Sequence, residues 1–396
     1  MLDETIRHGV DGEHLVLIEA TCNQVNQDGG YTGLRPSDFG DQVGALAKRY
    51  GLPEQRLVLG GDHLGPNPWK HLSAETAMAK SEELVWAFVT AGFTKIHLDT
   101  SIRCSDDPPG ALSPALVAER AARLAVVAER AAAEVGGAPR YVIGTEVPVP
   151  GGESAGEHGI HVSTFDDVAE TIEVTELAFA AAGVSDAWQR VCAVVAQPGV
   201  EFSDAELYAY TPGQAAPLAP CLAGDVRLVF EAHSTDYQSR AALNALVADH
   251  FAILKVGPGL TFAYREALFG LSFIEDELLG TAASGVRTVL DAAMVSDPAH
   301  WQPFYPADAE RAAYARKYSR SDRSRYYWPV PRVQQAVATL AANLERTGLP
   351  EELVSQFLPW LTPTEVPGLA VGGSLTGDAV LRAAIRRVLD AYAAAT

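Results

Sequence analysis

The sequence predicts an α/β fold, a (β/α)8 barrel of TIM type lacking its first strand, followed by a helical C-terminal extension. Three observations carry that expectation. Short β-branched runs alternate with longer Ala-rich helical segments, which implies parallel strands joined by crossover helices. Nearly every run ends, on its C-terminal side, in residues able to do chemistry, as at the mouth of a closed barrel. No Gly-x-Gly-x-x-Gly turn opens the first helix, which disfavours an open dinucleotide-binding sheet.

The strands are expected at Leu15 to Glu19, Arg56 to Gly60, Lys95 to Asp99, Tyr141 to Thr145, Arg190 to Val195, Arg227 to Glu231 and Ile253 to Val256. Helical periodicity falls near 37–50, 73–91, 114–134, 166–182, 203–222, 236–249 and 261–279. These runs make seven strands, where closure of the fold takes eight. Beyond about residue 284 the alternation stops and helices with aromatic clusters take over, so the barrel is assigned to 1–283 and the extension to 284–396.

Composition narrows the function. The chain has 396 residues, 48% of them hydrophobic, enough for a large core. Its formal charge of −20 repels phosphate backbones and anionic lipid, so neither nucleic acid nor a membrane surface is an expected partner. The four cysteines have no zinc-knuckle spacing. The start lacks signal-peptide character, and no apolar run approaches the ~18 residues of a membrane span, so a cytoplasmic location is expected.

The candidate site is read from the strand ends. In Gly60-Gly61-Asp62-His63-Leu64-Gly65, His63 is a metal-ligand candidate and Asp62 an acid/base, with the glycines allowing close approach of a ligand. His233 stands in the same position after Glu231. In Lys95-Ile96-His97-Leu98-Asp99, alternation places Lys95, His97 and Asp99 on one side. Glu146 precedes a Pro-rich turn that would fix its direction. Lys255, a cation in an apolar strand, is read as binding a substrate oxygen rather than forming a Schiff base. The basic run Ser319 to Arg325 is either a solvated loop or a phosphate clamp or partner surface.

The segments "LIEATCNQVNQDGGYTG" (17–33), "GGDHLGPNPW" (60–69), "KIHLDTS" (95–101), "YVIGTEVPVPGGE" (141–153), "QPGVEF" (197–202), "EAHSTDYQ" (231–238), "FAILKVGP" (251–258) and "SDRSRYYWP" (321–329) closely resemble the GatZ/KbaZ family, the Z-type subunit of class II D-tagatose-1,6-bisphosphate aldolase. The resemblance implies a barrel related to metal-dependent aldolases of tagatose and galactitol catabolism. It also implies a Y-type catalytic subunit as partner, a homo- or hetero-oligomer, and a ketose or ketose phosphate as ligand.

A second function implied by relatives is a free-standing ketohexose 4-epimerase working by retro-aldol cleavage and re-addition. By resemblance, Asp62 and Glu146 are catalytic. His63, His233 and Gln197 hold a divalent metal, zinc first and manganese second. Asn23, His97, Asp99, Asp236 and Lys255 bind substrate. Family members begin with a further strand, so Met1 to Glu4 is expected to lie within the first helix, which accounts for the missing eighth strand.

Overall fold

The β-branched runs form a parallel sheet in the computed structural model, which describes residues 1–144, 160, 162–361, 370–371 and 374–395. Strands β1 (Val16–Thr21), β2 (Leu57–Leu64), β3 (Lys95–Leu98), β4 (Arg140–Ile143) and β5 (Val191–Val195) lie in sequence order. A two-residue antiparallel ribbon, β6 (Glu201–Phe202) with β7 (Leu207–Tyr208), stands outside the sheet. Strands β8 (Val229–Ala232) and β9 (Phe251–Leu254) then complete seven strands in the order β1-β2-β3-β4-β5-β8-β9. The sheet curls like a barrel, and Lys255, just beyond β9, ion-pairs with Glu19 of β1 across the interior. Among the described residues β1 and β9 are the sheet's edges and do not pair with each other.

Helices cover the outer face because their apolar stripes match the sheet. In order they are α1 (Leu2–Gly12), α2 (Pro36–Tyr50), α3 (Ala74–Thr90), α4 (Pro114–Val135), α5 (Phe165–Ala181), the single turn α6 (Ser185–Trp188), α7 (Arg240–Ala248) and α8 (Pro258–Leu279). Ser73, Ser113, Thr164 and Ser239 each accept a first-turn N–H and so set where α3, α4, α5 and α7 begin. Buried alanines along α4, such as Ala121, Ala125, Ala128 and Ala132, allow close packing against α3 and α5. Inside the barrel, Val142, Ala193, Val195, Val229 and Ile253 form a small apolar layer beneath the polar strand ends.

One expected helix is absent. Residues 203–222 contain Pro212, Pro217 and Pro220, and proline removes a donor and clashes within a helix. The segment instead holds the end of the β6–β7 ribbon and a 3-10 turn over Ala216–Leu222.

Beyond the barrel come α9 (Val286–Ser296), α10 (Ala309–Tyr318), α11 (Pro331–Thr347), α12 (Glu351–Phe357) and α13 (Gly377–Ala393). Ala267, Leu268, Leu271 and Ile274 of α8 share a second apolar cluster with α11, α12 and α13. Helix α13 returns to the barrel: Arg386 pairs with Glu4 at 2.7 Å, and the Tyr392 hydroxyl donates to the Thr235 carbonyl at 2.8 Å. No single helix among the described residues is long and apolar enough to cross a membrane.

Candidate functional site

The site begins with an irregularity in β2. Pairing with β3 runs regularly to Gly61 opposite Ile96 and resumes at Leu64 opposite Leu98, so β2 carries one extra residue. His63 lies in this bulge with φ 48°, a left-handed conformation rare outside glycine. In a regular strand Asp62 and His63 would point to opposite faces. The bulge aims both inward, the re-aiming that bulges near functional sites provide. The neighbouring glycines make room for protein rather than ligand: a Cβ at Gly65 would run into the Asp99 carbonyl, and one at Gly60 into the Glu19 side chain.

Strand β3 alternates as its sequence predicts. Lys95, His97 and Asp99 all reach inward, to Glu19, Asp62 and His63 respectively. After β8 the same alternation puts Glu231 and His233 on one side, where the His233 Nε2 donates to Glu231 at 2.8 Å. The rings of His63 and His97 are 4.9 Å apart, as are those of His63 and His233. One ligand-type atom from each of Asp62, His63, His97 and His233 lies within 4.8 Å of the others, and all four residues are buried.

Hydrogen bonding fixes the tautomers. Asp99 Oδ2 accepts from His63 Nδ1 at 2.6 Å, which leaves Nε2 as the free nitrogen. Glu231 holds the His233 Nε2 proton, which leaves Nδ1 free. The Gly144 carbonyl has no proton to give, so His97 donates to it from Nε2 at 2.9 Å. His97 Nδ1 meets the His63 N–H at 3.2 Å and Asp62 Oδ1 at 3.0 Å. Burial pushes the His233 pKa down to about 4, so this imidazole is neutral at pH 7. Burial opposes charge on His63 too, but Asp62 and Asp99 outweigh it and raise its pKa.

Beneath the imidazoles lies an ion network. Lys95 bridges Glu19 at 2.7 Å and Glu231 at 2.6 Å. Lys255 pairs with Asp62 at 2.8 Å, with Glu19, and with Glu231 at 3.5 Å. Burial disfavours the Lys255 ammonium, but Asp62, Glu19 and Glu231 outweigh it and raise its pKa, so it is no amine nucleophile. Burial likewise opposes ionisation of Asp62, yet Lys255 and His63 hold its pKa well below the usual range. With neutral imidazoles, Glu19, Asp62, Asp99 and Glu231 outnumber Lys95 and Lys255 by two formal charges. Two free imidazole nitrogens, an adjacent carboxylate and that excess negative charge suit a divalent cation.

The remaining expected residues have these surroundings. Asp99 orients His63 and accepts from Ser101, whose N–H and Oγ lie at 3.2 and 2.9 Å. His97, expected to bind substrate, stands in the ligand group itself. Asp236 Oδ1 accepts from the N–H groups of Gly257 and Gly259 at 2.9 and 2.7 Å, fixing the start of α8. Gln197 lies outside the ligand group. Its Oε1 accepts from Gly199 and Val200, which secures its own loop. Asn23 follows β1 half-buried, with its carbonyl accepting from Tyr31 at 3.0 Å. Glu146 lies outside the described residues. The Lys95 bridge between Glu19 and Glu231 was unassigned from sequence, although alternation in "KIHLD" already pointed that lysine inward.

A family model described as D-tagatose-1,6-bisphosphate aldolase subunit GatZ/KbaZ-like matches residues 1–396. The chain is 49% identical over 361 residues to D-tagatose-1,6-bisphosphate aldolase subunit GatZ of Salmonella enteritidis PT4, covering 91% of this chain and 85% of that one. Identity, length and coverage are the same for the protein of that name from Klebsiella pneumoniae. A crystal structure from Sinorhizobium meliloti 1021, called a "probable tagatose 6 phosphate kinase", superposes with a TM-score of 0.90 at 45% identity, covering 100% of this chain and 97% of that one.

Proposed function

The chain belongs to the GatZ/KbaZ-like family of D-tagatose-1,6-bisphosphate aldolase subunits, and from that premise we propose that its strand-end cluster holds one divalent cation, zinc first, and takes a ketose phosphate. The observation that carries this reading is the pair of buried imidazoles whose free nitrogens, His63 Nε2 and His233 Nδ1, are fixed by Asp99 and Glu231. A carboxylate or carbonyl behind a ligating histidine is the usual arrangement at protein metal sites. Manganese suits the same ligands less well because imidazole favours zinc.

Held by His63 and His233, a divalent cation would supply Lewis-acid polarisation of a ketose oxygen and stabilisation of developing negative charge. The chain's own groups do the rest. Asp62, beside the imidazoles and kept ionised by Lys255, accepts the proton of the substrate hydroxyl. Lys255 remains an ammonium and donates to a substrate oxygen. Asn23, two residues past β1, would orient a further hydroxyl. Burial of His97 and Glu231 keeps water from the inner side of the site.

We also propose that the chain works in the cytoplasm with a Y-type catalytic subunit, since its relatives are named as aldolase subunits. Those names do not favour a free-standing 4-epimerase. The test is cleavage of D-tagatose 1,6-bisphosphate by the chain with its partner subunit, with and without chelator. Cleavage that falls with chelator and with His63→Ala in this chain supports the reading. Equal rates with wild-type and His63→Ala chains would overturn it.

A further inference from the structure

We propose that Arg323 and Arg325 form a phosphate subsite on the barrel mouth. The basic run 319–325 is not a solvated loop. Arg323 is 4% exposed, and its Nε has no hydrogen-bond partner among the described residues. Its guanidinium lies 3.4 Å from the centroid of the Phe304 ring, and the Arg323 main-chain N–H donates to the Tyr305 hydroxyl at 3.1 Å. Arg325 donates to the Tyr326 hydroxyl at 3.0 Å, to the Asp322 carbonyl at 3.3 Å and to the Ser321 carbonyl. Asp322 pairs through Oδ1 with Arg265 at 2.6 Å. Neither Arg323 nor Arg325 forms an ion pair among the described residues.

Two adjacent guanidinium groups in a setting of tyrosine and phenylalanine are costly without an anion. Their field is felt nearby: burial, then Arg325, pushes the Arg323 pKa down to about 10. Burial opposes ionisation of Tyr326, but Arg325 and Arg323 outweigh it and lower its pKa. Two planar forks side by side suit the several oxygens and the double charge of a phosphate group.

Position supplies the second argument. The run straps across strand-end loops: the Arg320 N–H donates to the Asp204 carbonyl at 3.0 Å, the Tyr237 hydroxyl donates to the Arg320 carbonyl, and Tyr326 packs 4.8 Å from Tyr31 of the loop after β1. Tyr237 is four residues past His233, and Tyr31 bonds the backbone of Asn23. The arginines therefore share a face with the imidazole cluster. Assigning their anion to the phosphate of a ketose phosphate rests on the function proposed above.

Titration calorimetry on the full chain tests the subsite in two arms. In chelator, inorganic phosphate is expected to bind the wild-type chain, and Arg323→Gln to weaken it at least about tenfold, as loss of a charge-assisted hydrogen bond predicts. With zinc, D-tagatose 6-phosphate is expected to bind at least about tenfold tighter than D-tagatose, a preference that Arg323→Gln removes. Arg323→Lys, which keeps charge but loses the fork, should fall between, and it substitutes for the glutamine variant if circular dichroism shows that one unfolded. Equal affinity for both sugars, or a preference unchanged by either variant, overturns the subsite. Loss of zinc binding with phosphate binding intact overturns the metal reading alone.

Discussion

Asp99 accepts the Nδ1 proton of His63 at 2.6 Å, and this one bond decides which imidazole nitrogen faces the centre of the site. Removing such a partner from a ligating histidine typically lowers metal affinity about 10–100-fold. Asp99→Ala is expected to show that loss in competition with a chromogenic chelator, and Asp99→Asn, which keeps an acceptor, a smaller one. Unchanged affinity in both would show that Asp99 does not act through His63.

The Lys95 ammonium bridges two carboxylates with its side chain 6% exposed. Lys95→Met leaves Glu19 and Glu231 short of a partner and should cost about 3–5 kcal/mol in urea unfolding. Arg382→Ala breaks an exposed i,i+4 pair with Asp378 and should cost no more than about 0.5 kcal/mol. Similar losses in the two variants would contradict the network's place in the core.

Gly65 and Gly44 make a contrasting pair. A Cβ at Gly65 meets the Asp99 carbonyl, whereas one at Gly44, within α2, meets nothing. Gly65→Ala should destabilise the fold by about 1–3 kcal/mol and weaken metal binding as Asp99 is displaced. Gly44→Ala should leave metal binding intact and stabilise by about 0.4–1 kcal/mol.

Asp107 receives both Arg120 nitrogens, at 2.6 and 3.0 Å, and the Cys104 N–H at 2.7 Å. The Arg120 bond is the main reason its pKa is lowered in the folded chain. The folded value is below the unfolded one, so the contribution is present above the unfolded pKa and lost as pH falls through the folded pKa. Asp107→Asn should therefore narrow its gap to wild type on acidification, as read from thermal midpoints between pH 6 and pH 3. A gap that stays constant would remove the pair from the acid response.

The barrel was legible because strand and helix periods alternate cleanly, and the inward set Lys95, His97 and Asp99 because β3 is regular. Asp62 and His63 were legible as strand-end residues, but adjacent residues facing inward together require the bulge, and a one-residue slip between strands leaves no periodic trace in the sequence. Roles followed the same limit. Asp236 ends one strand's loop and resembles a ligand in sequence, yet two N–H groups from another loop use its carboxylate. Over 203–222 the helical periodicity is overridden by three prolines, which remove donors and clash within a helix.

The proposed metal centre has His63 and His233 bring one metal ion to the barrel mouth. Its most direct test is zinc titration of the chelator-stripped chain by calorimetry, alongside His63→Ala and His233→Ala. One zinc per chain, with binding lost in both variants, is the predicted result. No zinc uptake, or uptake unaffected by the two substitutions, would contradict it.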